Sequence, residues 1–152
     1  MLSCGTEVGN PLTVFQSGTD DSDEPENNDS DASLTTFSAN LEVVVCTKLS
    51  ECYASTLTEK NCLSAIPAVD GFDIELGLVG ANYNSLSDVK TAESNSLITP
   101  NSTSSAQCLN DIKALTCTDS EVINAYDISN PTDYSNLYLI TPVGAGSCND
   151  VF

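Results

Sequence analysis

The sequence predicts an all-α fold: a small disulfide-stapled bundle of five or six short helices, preceded by a disordered acidic tether. Three observations predict it. Apolar residues recur at steps of three and four in several separate segments, the spacing of one helix face. Six of the seven cysteines fall in the later part of a Ser-, Thr- and Asn-rich chain, an even set that reads as three disulfides formed in an oxidising compartment. The first fifth of the chain is acidic and has no lysine. A length of 152 residues suits one domain with its own core, and composition divides the chain into a linker at 1–33 and a folded part at 34–152.

The tether includes the run GTDDSDEPENNDSDAS. Its acids are Glu7, Asp20, Asp21, Asp23, Glu24, Glu26, Asp29 and Asp31, a charge of −8 with no compensating cation. Low hydrophobicity with strong self-repulsion gives an extended, disordered spacer. Calcium is a weak alternative, because no D-x-[DN]-x-[DN]-G loop with a closing Glu is present.

In the folded part, Phe37, Leu41, Val44, Val45, Leu49, Cys52 and Tyr53 form a helical face across 35–54. Thr58 caps a second helix with Glu59 at its positive end, and the helix runs on to Ile66, where Pro67 follows. The glycine-broken stretch 68–83 reads mostly as loop with room for one helical turn. Ser87 introduces a helix over 88–97 with Val89, Ala92 and Leu97, closed by Pro100. The run NSTSSAQCLNDIKALTC is the cleanest helical signal: Ser104 or Ser105 caps it, and Cys108, Leu109, Ile112, Leu115 and Thr116 share a face. Asp119 or Ser120 caps SEVINAYD, with Val122, Ile123 and Tyr126 turned inward. A last short helix spans 134–139, and the glycine-rich tail is pinned by Cys148. The alternative is α+β, with strands at 43–46 and 137–140. No apolar run approaches the length of a membrane span.

The cysteines are Cys4, Cys46, Cys52, Cys62, Cys108, Cys117 and Cys148, separated by 41, 5, 9, 45, 8 and 30 residues. Neither a zinc knuckle nor a C-x-x-C redox pair is among these spacings. Six positions along one helix span about 9 Å, beyond the reach of a disulfide, so Cys46–Cys52 and Cys108–Cys117 are excluded. Cys52–Cys62 is attractive, because one helix ends and the next begins between them. Other pairings stay open.

Composition excludes several chemistries. The chain has 22 acids against 4 bases, a net charge of −18, and no histidine. Its four lysines, Lys48, Lys60, Lys90 and Lys113, cannot supply the clustered cations that nucleic acid requires. The same field repels anionic lipid head groups. Without histidine there is no Ser-His or Cys-His nucleophile and no imidazole metal ligand. A carboxylate pair, as in glycosidases, or a lysine base is the catalytic option that survives. The sequons Asn28-Asp29-Ser30 and Asn101-Ser102-Thr103 would suit a glycosylated secreted protein, but in so Asn- and Ser-rich a chain they read as chance matches first. Tyr53, Tyr83, Tyr126, Tyr134 and Tyr138 read as core-edge packing before they read as a ligand groove.

Leu2, Ser3 and Cys4 resemble the end of a bacterial lipoprotein signal, in which an apolar residue and a small residue precede the lipidated cysteine. That resemblance implies a signal peptide with its upstream part missing here. It also implies a diacylglyceryl thioether on Cys4, whose buried methylenes contribute about 0.8 kcal/mol each to anchoring. Cys46, Cys52, Cys62, the segment QCLNDIKALTC and Cys148 resemble the small cysteine-rich lipoproteins of unknown function encoded in multiple copies by some Gram-negative bacteria. This second resemblance covers 41–152 and implies fold and address, with no catalytic residues to transfer.

The expectation is therefore a lipid-anchored cell-envelope protein, at the outer membrane on its periplasmic face or at the cell surface. It acts as a binding or structural module toward a protein or small-molecule ligand and not as an enzyme. The expected lipidation site is Cys4 and the disulfide cysteines are Cys46, Cys52, Cys62, Cys108, Cys117 and Cys148. No metal, cofactor or nucleic acid is expected. The alternatives are a secreted binding protein without lipid, in which Cys4 links two chains, and a carboxylate-based hydrolase.

Overall fold

The computed structural model describes residues 36–152. Cys4, the acidic tether and the Asn28 sequon lie outside them. Six helices follow in order: α1 (Phe37–Cys52), α2 (Glu59–Ala65), α3 (Phe72–Glu75), α4 (Leu86–Ser94), α5 (Ser102–Ala114) and α6 (Ser120–Ala125). Short 3₁₀ turns lie at Ile66–Ala68, Leu137–Ile140 and Cys148–Asp150. No strand occurs among the described residues, and both stretches considered as strands are helical. The fold is an all-α bundle stapled by disulfides.

The longest helix, α1, packs on α2, α4 and α5. Thr36 caps it by accepting a hydrogen bond from the Ala39 N–H. Phe37, Leu41, Val45 and Leu49 recur every four residues and are buried, with Ser38, Glu42 and Cys46 one step beside them. The valine run is divided by this geometry: Val45 is buried, Val44 half-buried and Val43 exposed. Two orphan donors at the helix start, the N–H groups of Phe37 and Ser38, donate to the Glu93 carboxylate of α4, the second at 3.0 Å. A carboxylate there also meets the positive end of the helix dipole. One turn on, Lys90 of α4 pairs with Glu42 at 2.7 Å.

Thr58 caps α2 as the sequence predicts, accepting from the Asn61 N–H. The following loop contains the single-turn α3. Gly77 adopts φ +91°, and a Cβ there would lie 2.6 Å from the Asn149 carbonyl oxygen, so only glycine admits the tail at this approach. The tail is tied by its backbone as well as by Cys148: the Phe152 N–H donates to the Leu76 carbonyl, and the Asn101 N–H donates to the Val151 carbonyl.

Several boundaries differ from those the sequence suggests. Helix α4 starts at Leu86 under a Ser85 cap and stops at Ser94. Ser96 takes φ +57°, a turn that leaves Leu97 74% exposed. Asn101, rather than Ser104 or Ser105, caps α5, its side-chain oxygen accepting from the N–H groups of Thr103 and Ser104. Asparagine is a strong cap, and starting there buries Ser104 inside the helix. Thr116 lies beyond the end of α5 and is exposed. In α6, Val122 and Ala125 are buried but Ile123 is 54% exposed, because six residues offer one narrow face and adjacent positions lie about 100° apart. The last expected helix is instead the 3₁₀ turn Leu137–Ile140, which buries both its end residues.

Candidate functional site

All six later cysteines are paired: Cys46–Cys62, Cys52–Cys117 and Cys108–Cys148. The two exclusions made from helix geometry hold, whereas Cys52–Cys62 does not form. Cys46 and Cys52 stand about 120° apart around α1, and it is Cys46, fully buried, that faces the buried Cys62 of α2. Cys52 closes the last turn of α1 and reaches sideways to the exposed Cys117 just beyond α5. Cys108 of α5 and Cys148 of the tail are fully buried.

Three of the five tyrosines cluster. Tyr53 and Tyr126 have ring centroids 5.1 Å apart, and Tyr134 stacks on Tyr126 at 6.3 Å. Tyr126 is buried, with its hydroxyl 3.2 Å from the Thr56 carbonyl oxygen and 3.1 Å from that of Pro131. Tyr53 donates to the Val122 carbonyl, and burial raises its phenol above the usual range. These hydroxyls are directed at backbone oxygens of the same domain, the pattern of packing rather than of a ligand groove. Tyr83 and Tyr138 lie elsewhere, packed at the edge of the core.

A cleft of about 310 Å³ lies along the outer face of α1, closed on one side by the last turn of α5. Its lining is Val43, Val44, Thr47, Lys48 and Glu51 from α1 and Lys113 from α5. These α1 positions share a face because they recur at intervals of about one helical turn. Lys48 is largely covered, its side chain 15% exposed, and its Nζ lies 3.4 Å from Glu51. Lys113 is exposed and makes no ion pair with a described residue. Half of the domain's lysines thus converge on one cleft whose floor is valine. Sequence reasoning missed this site, since the two lysines are far apart in the chain and Val44 read as part of the buried helical face.

Three further clefts are lined by Glu42 and Lys90 with Ser and Thr side chains, by Tyr83, Asp88 and Leu97, and by Val69, Asp70 and Tyr134. Each of the four clefts has one acidic side chain among its lining residues: Glu51, Glu42, Asp88 and Asp70 respectively. Among the described residues no group of three or more His, Cys, Asp or Glu could hold a metal ion. No described helix is long and apolar enough to cross a membrane.

Comparison of the chain with protein-family models, curated proteins and solved structures gives no match.

Proposed function

We propose that this protein is an exported binding module of the cell envelope, tethered by lipid on Cys4 through the acidic linker. One observation supports the reading most: the three disulfides use all six cysteines of the described residues among themselves, so none of those six is left to pair with Cys4. Paired cysteines in a small domain fit an oxidising compartment, and a cysteine preceded by Leu2 and Ser3 fits acylation. A glycosidase needs two carboxyl groups about 5–10 Å apart across one cleft, and each of the four clefts described above has a single acid among its described lining residues, which supports the binding reading over the hydrolase.

The test is the intact, unreduced mass of the full-length protein taken from the membrane fraction of the cells that make it, followed by sequencing of the Cys4 peptide. The reading expects acyl and diacylglyceryl mass on Cys4. An unmodified Cys4, or a dimer that reductant separates, would replace it with a secreted protein.

A further inference from the structure

The α1/α5 cleft combines three properties that define a ligand. It is apolar along Val43 and Val44, and Val43 is 49% exposed although it sits in the most hydrophobic run of the longest helix. It has two lysines in its lining: Lys48, largely covered and paired with Glu51, and Lys113, exposed and without an ion pair to a described residue. Its walls are fixed by covalent bonds, since the Cys52–Cys117 bridge joins the end of α1 to the chain just beyond α5. A rigid wall lowers the ordering cost of binding.

Charge narrows the ligand further. On a chain with a net charge of −18, and with the Glu59 carboxylate held beyond the lining by the Thr47 hydroxyl, Lys48 is paired with Glu51 among the lining residues and Lys113 is the one cation left over. A monoanion balances it, whereas a dianion such as a phosphate monoester would add a further negative charge to an already anionic molecule. The volume of about 310 Å³ lies at the lower end of ligand sites, about 300–1,000 Å³, and so suits a short hydrocarbon body.

We propose that this cleft binds a small amphipathic monocarboxylate. The carboxylate sits between the Lys48 and Lys113 ammonium groups, and the hydrocarbon chain lies over Val43 and Val44. The Thr47 hydroxyl is directed to Glu59 at 3.3 Å, so the two lysines carry the recognition of the head group. This gives a ligand class to the binding role proposed above, yet it is independent of the anchor: a chain without lipid on Cys4 retains the cleft.

The experiment is amide chemical-shift titration of the full chain with sodium octanoate, with octylammonium at matched concentrations for comparison. Saturable shifts confined to residues 43–51 and 113–117, absent with octylammonium, are the expected result. The K48Q/K113Q double substitution should weaken octanoate about tenfold or more, the loss expected for charge-assisted contacts. K113Q alone, at an exposed position, should weaken it severalfold without changing the melting temperature. The proposal is overturned if octanoate gives no saturable shift there, if octylammonium binds equally well, or if K113Q and the double variant bind like the parent. Mass analysis of Cys4 reads the anchor separately, so either proposal can fail alone.

Discussion

At its N-terminal end α1 is held by charge, with Glu93 accepting from its first N–H groups and Lys90 paired to Glu42. At its C-terminal end it is held by sulfur, through Cys46–Cys62 and Cys52–Cys117. The difference is physical as well as chemical. Charged contacts stabilise the native state itself and weaken with salt when partly exposed, whereas a disulfide acts mainly by restricting the unfolded chain. The cleft from Val43 to Glu51 runs toward the covalently held end, so the surface proposed above to take a ligand lies beside the Cys52–Cys117 bridge.

The largest effect should come from full reduction. The bridges span 16, 65 and 40 residues, and loop entropy at about 3–4 kcal/mol each sums to roughly 10 kcal/mol. That is comparable to the whole stability of a typical domain, so the reduced chain should lose its cooperative thermal transition in circular dichroism.

Removing only the exposed bridge, as Cys52→Ala with Cys117→Ala, sharpens the comparison. It should cost about 2–4 kcal/mol and speed hydrogen exchange at the end of α1 and around residue 117, while the first turn of α1 stays protected. At the charged end, Glu42→Gln should cost about 1–2 kcal/mol, because the Glu42 side chain is only 10% exposed while Lys90, at 39%, still meets water. Denaturant titrations at low and high salt should converge for this variant more than for the parent. Glu93→Gln should cost about 1 kcal/mol and fray the first turn, read as faster exchange at the amides of Phe37 and Ser38.

The smallest effect lies at neither end. Burial raises the Glu75 carboxyl above its usual range, so the folded state holds that proton more tightly than the unfolded chain does. Its ionisation therefore opposes folding, and its contribution to stability declines as pH rises through the folded value. Glu75→Gln should be slightly more stable than the parent at neutral pH, with the gap closing as pH falls below the ordinary carboxylate range.

Much of the fold is legible in the sequence because it is local. The Thr58 cap, the spacing from Phe37 to Leu49 and the face carrying Cys108 and Ile112 each follow from residues within a few turns of one another. What depends on direction around a helix is less legible. Proximity in sequence suggests Cys52 with Cys62, yet rotation along α1 brings Cys46 to Cys62 and sends Cys52 to Cys117. The same limit applies to Ile123, apolar but on the outer side of a six-residue helix. The cleft was not legible at all, since Lys48 and Lys113 meet only through the packing of α5 on α1.

The most direct test of the account is disulfide mapping of the unreduced protein by proteolysis and mass spectrometry, with free thiols blocked beforehand. The account predicts linked peptides for Cys46–Cys62, Cys52–Cys117 and Cys108–Cys148, with Cys4 in none of them. Recovery of Cys46, Cys62, Cys108 or Cys148 as blocked free thiols, or of Cys4 bridged to any of the six, would contradict it.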